Sequence, residues 1–283
     1  MDMKRIERIF FLVFLLLDLF LLSVYSEGMA ETVKLNSSSS QAQNIKARLE
    51  KDHISYKGKF SDEKSTGYYL SGVQDDFSES LAKELPKLNT AVIPSLVADQ
   101  NHMLSGKLSR ETFFDQKKAA KETAALLKGK DIPFARNYRY LAARSSFGKT
   151  NPVITCAQSY EGIPFFDDTA SLTLQLKESD GRLNASSYQM QRLSDVQPLR
   201  EKQALISEEQ AITTLYLNNR LPLNAKITQR NLGYSRILKV RERNVYVPVW
   251  SVEVEASGVN TTEMVNAISN SVITQSTVPK IED

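Results

Sequence analysis

Cysteine is almost missing from this 283-residue chain; Cys156 is the only one. No internal disulfide is therefore available, and an exported domain must hold itself together by its core. Cys156 itself reads as a small buried hydrophobe on a strand. Histidine is nearly as scarce, with His53 and His102 alone. Two separated histidines and one cysteine make no structural zinc set without carboxylates. No His-Glu-x-x-His, Gly-x-Ser-x-Gly or phosphate-loop spelling occurs. Ser146-Phe147-Gly148-Lys149-Thr150 ends like a phosphate loop but lacks the earlier glycine, and reads as a hairpin turn. The neighbouring acids Asp167 and Asp168 also read as a turn, because adjacent side chains in a strand point apart. No basic block follows the N-terminus, and 36 basic and 33 acidic residues are interspersed for a net charge of +3. That balance excludes nucleic acid as a partner. No enzyme chemistry is readable, and neither cofactor nor metal is expected.

Against these absences stands one long apolar run. From Ile9 to Tyr25 fourteen residues are Leu, Ile, Phe or Val, and the single charge is Asp18. As a helix the run is about 25 Å long, close to the thickness of a bilayer core. Its apolar residues favour insertion by about 4 to 8 kcal/mol, and a central Asp takes back about 2.5 to 3.5. Lys4, Arg5 and Arg8 precede it and act as cytoplasmic anchor charges. The expectation is a single-pass anchor in the cell membrane, with the N-terminus inside and the remainder outside. A cleaved signal peptide is the rival, with small residues at Ser26 and Ala30. An ionisable group at mid-depth points to function, so Asp18, with Phe14, Leu17 and Leu21, is the expected contact with partner helices.

The remaining 41% hydrophobic and 24% charged composition is that of a folded protein. Residues 1–8 read as a cytoplasmic end, 9–25 as the membrane helix and 26–40 as a polar linker. A first α+β unit with an N-terminal helix-and-strand extension covers 41–198, and a second covers 199–283. Helices are expected at Gln41–His53, Asp76–Leu85 and Asp115–Lys128, the last with Gly129 just beyond its end. Short strands are expected near Tyr68–Ser71 and Ala91–Ile93. Tyr138–Ala142 and Val153–Ala157 read as paired strands, with Gln158–Phe166 continuing the second. In Ser171–Lys177, Leu172, Leu174 and Leu176 alternate strictly with polar residues. Asp180-Gly181 is a hairpin turn and Leu183–Gln191 the returning strand. Ser207-Glu208-Glu209-Gln210 spells a capping box for a helix carrying Ala211, Ile212, Leu215 and Tyr216. Strands follow at Lys226–Asn231, Ser235–Val240, Val245–Glu255 and Met264–Thr274. Each half is thus one helix followed by a meander of about four strands, an α+β layer. Tyr160, Phe165, Phe166 and Trp250 are candidates for an outer interaction face, although aromatics in strands more often build core.

The opening through Asp18-Leu19-Phe20-Leu21-Leu22 resembles the start of the YycI (WalI) family. Tyr160-Glu-Gly-Ile-Pro-Phe-Phe166, the Asp180-Gly181 hairpin and Ile206-Ser-Glu-Glu-Gln-Ala211 are similar to it as well. The second unit, through its Ser207 helix and Tyr246–Val254, also resembles a PepSY-type module, without a clean Asp-x-x-Thr-Gly ending; the outer part as a whole looks PepSY-like or YycH-like. The resemblance implies a non-enzymatic, membrane-anchored regulator of a cell-wall-related sensor histidine kinase (WalK/YycG-like) in a Gram-positive bacterium. It implies complex formation with a YycH-like partner through membrane helices; homo- or hetero-dimer pairing stays open. An exported PepSY-like inhibitor or chaperone of a protease or envelope protein is the alternative, and a cell-wall enzyme is a third class with no nucleophile–base pair to support it.

Overall fold

The computed structural model of the chain describes residues 38–148, 151–274 and 280–281, together with positions 11, 14, 15, 17 and 18. For 38–44 and 280–281 the description is of the backbone alone. The chain divides into two compact units, residues 1–53 and 54–283. In the first, helix α1 runs Ser38–Lys51. Ile45 and Leu49, one turn apart, are its buried pair, and the residues between them are exposed. His53 closes it in a left-handed backbone (φ 55°) with its N–H on the Glu50 carbonyl.

The second unit is a sheet-rich α+β structure. Its first sheet uses β2 (Leu104–Phe114), β3 (Tyr138–Tyr140), β4 (Val153–Tyr160), β5 (Ser171–Gln175) and β6 (Arg182–Met190). Their order across the sheet is β2–β6–β5–β4–β3, all antiparallel, with Val97–Ala98 added beyond β2. Leu172, Leu174 and Leu176 all point into one core with Leu104, Tyr138, Ile154 and Cys156. Helix α3 (Ala119–Leu127) lays Leu126 and Leu127 on that core. Asp180 (φ 51°) and Gly181 (φ 70°) form the tight reversal into β6, both left-handed as a primed hairpin turn requires.

The second sheet is built on one long hairpin, β8 (Lys226–Val240) with β9 (Arg243–Ala256). β10 (Val259–Asn266) and Val272–Ile273 follow in meander order. Helix α4 (Glu208–Leu217) packs on β10 through the face carrying Ala211, Ile212 and Leu215. Its capping box is complete: the Gln210 N–H donates to Ser207 Oγ (3.3 Å) and the Ser207 N–H to Gln210 Oε1 (2.9 Å).

Three further strands join this sheet from earlier in the chain, the first of them Ser55–Tyr56, which pairs parallel with Lys226–Ile227 at the start of β8. β1 (Leu70–Gln74) pairs with β9 over Arg243–Tyr246, and β7 (Leu193–Pro198) pairs with β1. The sheets therefore do not divide at residue 198; segments on both sides of the first sheet complete the second. One edge of β9 is shared, by β1 over Arg243–Tyr246 and by β10 over Val249–Ala256. Pro248 stands at the gap between them. Proline has no N–H to give a neighbouring strand, and here none is required; its carbonyl accepts from the Ala267 N–H (2.8 Å).

Several expectations are corrected. The first-sheet edge strand β2 occupies a stretch where no strand was expected; its polar middle bulges from β6, and Asp131 accepts from Ser109 N–H and Oγ there. Ala91–Ile93 is a turn leading into a 3-10 segment, Ile93–Ser95, not a strand. The helix expected from Asp76 shrinks to α2 (Ser80–Glu84), because the Asp75 and Asp76 carboxylates bend the chain by accepting from the N–H two residues on. Gly129 follows α3 without a left-handed φ. Gln158–Phe166 continues β4 only as far as Tyr160: Glu161 (φ 46°) and Gly162 (φ 85°) turn the chain, and Ile163–Pro164 pairs back on Ser159–Tyr160. Lys226–Asn231 and Ser235–Val240 are one strand, because Leu232–Tyr234 stay paired with β9.

Candidate functional site

Phe14, Leu17 and Asp18 are helical and exposed. Leu21, Lys4, Arg5 and Arg8 lie outside the described residues, as does most of the 9–25 run. Among the described residues no helix is long and apolar enough to cross a membrane. Tyr160 is half-buried, edge-on to Tyr68 with ring centroids 5.9 Å apart. Trp250 is half-buried on β9, its indole N–H donating to the Ile206 carbonyl (2.9 Å) at the entrance to α4. Phe165 and Phe166 are corrected from surface to core, at 2% and 5% exposure. The reversal at Glu161-Gly162 throws them onto the outer edge of β8.

There they clamp the two sheets. Phe166 N–H donates to the Tyr234 carbonyl (2.8 Å), so residues 165–167 act as a short extra strand on β8. The Phe165 ring lies 5.3 Å from Tyr234 and 5.0 Å, edge-on, from Tyr246. Phe166 lies so close to β8 that a Cβ on Gly233 would stand 2.3 Å from its ring, which explains the glycine. Asp167 closes the joint. Its carboxylate accepts from the N–H of Thr169 (3.0 Å), the Thr169 hydroxyl and the N–H of Arg236 (3.0 Å). Thr169 Oγ1 in turn meets Tyr246 Oη at 2.6 Å. Burial pushes the Asp167 carboxyl above the usual carboxylate range, although these bonds and the Arg236 charge oppose it. Burial likewise raises the Tyr246 hydroxyl.

The chain crosses from β6 to β7 at Gln191–Arg192, a second joint. Tyr138 Oη donates to the Gln191 carbonyl (2.7 Å). The buried Gln158 amide brackets Leu193, accepting from its N–H (2.7 Å) and donating to its carbonyl (3.1 Å). The Arg192 carbonyl takes the Asp75 N–H (2.8 Å), and the Arg192 guanidinium forms an ion pair with the Asp75 carboxylate. That guanidinium also lies 4.4 Å from the centroid of Phe134. A cleft of about 1150 Å³ opens beside it, between α2 and the segment 127–137. Sequence reading missed Arg192 and Asp75, which are 117 positions apart. The only local signal was a lone cation set between Met190 and Leu193.

Among the described residues no three His, Cys, Asp or Glu side chains gather to hold a metal ion. Cys156 is fully buried and burial pushes its thiol up to about 12, so it is no nucleophile at neutral pH.

Two largely antiparallel sheets, each with a helix packed against it, joined by a clamp and a crossover, define a sheet-rich α+β protein with buried polar joints. The chain belongs to the YycI family: the family described as YycI protein matches residues 33–268, most of its length. The family is a regulatory one, tied to the WalK/WalR two-component system. No curated protein matches the chain. Among solved structures it is similar to an uncharacterized protein from Eubacterium rectale ATCC 33656, at 11% identity and a TM-score of 0.47, over 80% of this chain and 92% of that one. It is also similar to the Bacillus megaterium YpeB C-terminal domain, at 14% identity and a TM-score of 0.35, over 62% and 78%.

Proposed function

We propose that the chain is a non-enzymatic, single-pass membrane regulator of a WalK-like sensor histidine kinase, with its sheet unit outside the cell. It acts beside a YycH-like partner, and its membrane helix biases the kinase between two packing states. The observation that carries this reading is the apolar run 9–25 with one carboxyl at mid-depth, in a chain of the YycI family. A lone Asp in hydrocarbon gains most by bonding to a polar group on a neighbouring helix. Phe14, Leu17 and Leu21 are the apolar residues that pack around that contact. The sheet unit supplies no chemistry in this scheme; it holds the helix in position and presents an outer surface.

The test is fractionation followed by co-purification from membranes. The full chain is expected in the membrane fraction, with Asp18→Leu remaining there but recovering about tenfold less kinase or partner, as the loss of one buried polar contact of about 1–2 kcal/mol implies. Mature protein released into the medium favours the exported-inhibitor alternative, and full partner recovery by Asp18→Leu removes Asp18 from the contact.

A further inference from the structure

The cleft beside Arg192 carries an excess of positive charge. Its cations are Lys83, Lys87, Lys128, Lys130, Arg136 and Arg192; its acids are Asp75, Asp76, Glu79 and Glu84. Two acids are already neutralised, Asp75 by Arg192 and Glu84 by Lys87 at 2.6 Å. Lys83, Lys128, Lys130 and Arg136 then face only Asp76 and Glu79, and Asp76 is engaged with Ser78 N–H and Oγ. The floor is apolar, made by Leu88, Leu127, Ile132 and the half-buried ring of Phe134. Arg192 Nε is buried beside that ring with no partner in the protein. An unsatisfied buried guanidinium N–H is unfavourable unless something accepts from it.

The backbone around the cleft is also unusual. Phe77 and Phe134 both sit in the left-handed region, at φ 65° and 54°, and their rings meet at 6.1 Å. Bulky residues rarely adopt that conformation, and such strain gathers at ligand clamps.

We propose that this cleft binds an extended anionic ligand, a chain bearing phosphate or carboxylate groups, with Lys128, Lys130 and Arg136 taking the anions and Phe134 and Arg192 the body of the chain. Such a ligand touches the crossover directly, because Arg192 is the residue by which the chain passes from one sheet to the other. Occupancy therefore stiffens the joint between the sheets, and the outer unit acquires a way to register an anionic polymer.

The experiment titrates the full-length chain with short-chain polyphosphate, poly-L-glutamate and neutral dextran, read by calorimetry. Saturable binding of at least one anionic probe is expected, and a preference between the two identifies the anionic group. The double variant Lys128→Glu/Lys130→Glu is expected to weaken binding about tenfold or more. Lys64→Glu/Lys177→Glu makes the same change in net charge at exposed positions outside the cleft, and is expected to weaken it less than about threefold. All four lysines are exposed, so melting temperatures should stay near that of the parent. No binding of either anion, equal binding of dextran, or equal losses in the two double variants would overturn the proposal.

Discussion

Phe165→Ala tests whether the two sheets are held together by the clamp. The ring is 2% exposed and is wedged against Tyr234 and Tyr246. Truncating a buried Phe costs about 3–5 kcal/mol, from lost burial and the cavity left behind. That is a large part of a typical stability of about 5–15 kcal/mol. With a urea dependence of about 3 kcal/mol per molar, the midpoint falls by about 1–1.7 M. The protein carries its own reporters. Trp250 is the only tryptophan and sits in the second sheet, while Cys156 is the only cysteine and lies fully buried in the first. Fluorescence follows one sheet, and thiol labelling follows the other. In the parent chain the two transitions coincide. In Phe165→Ala both move down, and they separate if the clamp is what makes the sheets cooperate. A midpoint shift below about 0.3 M, equivalent to about 1 kcal/mol, would refute the wedge.

Gly233→Ala forces a methyl to within 2.3 Å of the Phe166 ring, which has nowhere to move without leaving β8. It is expected to destabilise by about 1–3 kcal/mol, read as a lower melting temperature, and an unchanged melting temperature would remove the close approach. Asp167 gives a pH signature. Its folded carboxyl is raised by burial, so folding favours the protonated form; its contribution is full below the ordinary aspartate range and is lost as pH rises through the folded value. The parent's stability relative to Asp167→Asn should therefore be greatest in acid and decline with rising pH, and a flat or opposite difference in urea midpoints across that window contradicts the buried environment.

Local features of the fold were legible in the sequence. The alternation of Leu172, Leu174 and Leu176 fixes a strand because period two needs no distant information. Asp180-Gly181 and the Ser207–Gln210 box are equally self-contained, since each is completed within four residues. What was not legible depends on partners far along the chain. β2 was hidden because Ser109-Arg110-Glu111-Thr112 breaks its apolar pattern, and Asp131 supplies the bonds that the bulge loses. Phe165 and Phe166 were candidates for an outer face although strand aromatics more often build core, and only the arrival of β8 decides for the core. The Arg192–Asp75 pair joins a strand end to a crossover, and neither segment signals the other. The α+β class survived these errors because it rests on the local periods, whereas the candidate sites rest on the long-range joints.

The divided edge of β9 restricts where the chain can change length. Val247 and Pro248 are the only residues between the stretch held by β1 and the stretch held by β10. One added residue there would turn every later side chain of β9 over, sending Val252 and Val254 to the opposite face and breaking the register with β8 and β10 at once. The tips at Asp180-Gly181 and Ser257-Gly258 have no such neighbours. Length variation among relatives should therefore collect at the tips, while the spacing from Arg243 to Ala256 stays fixed, even where the residues themselves drift.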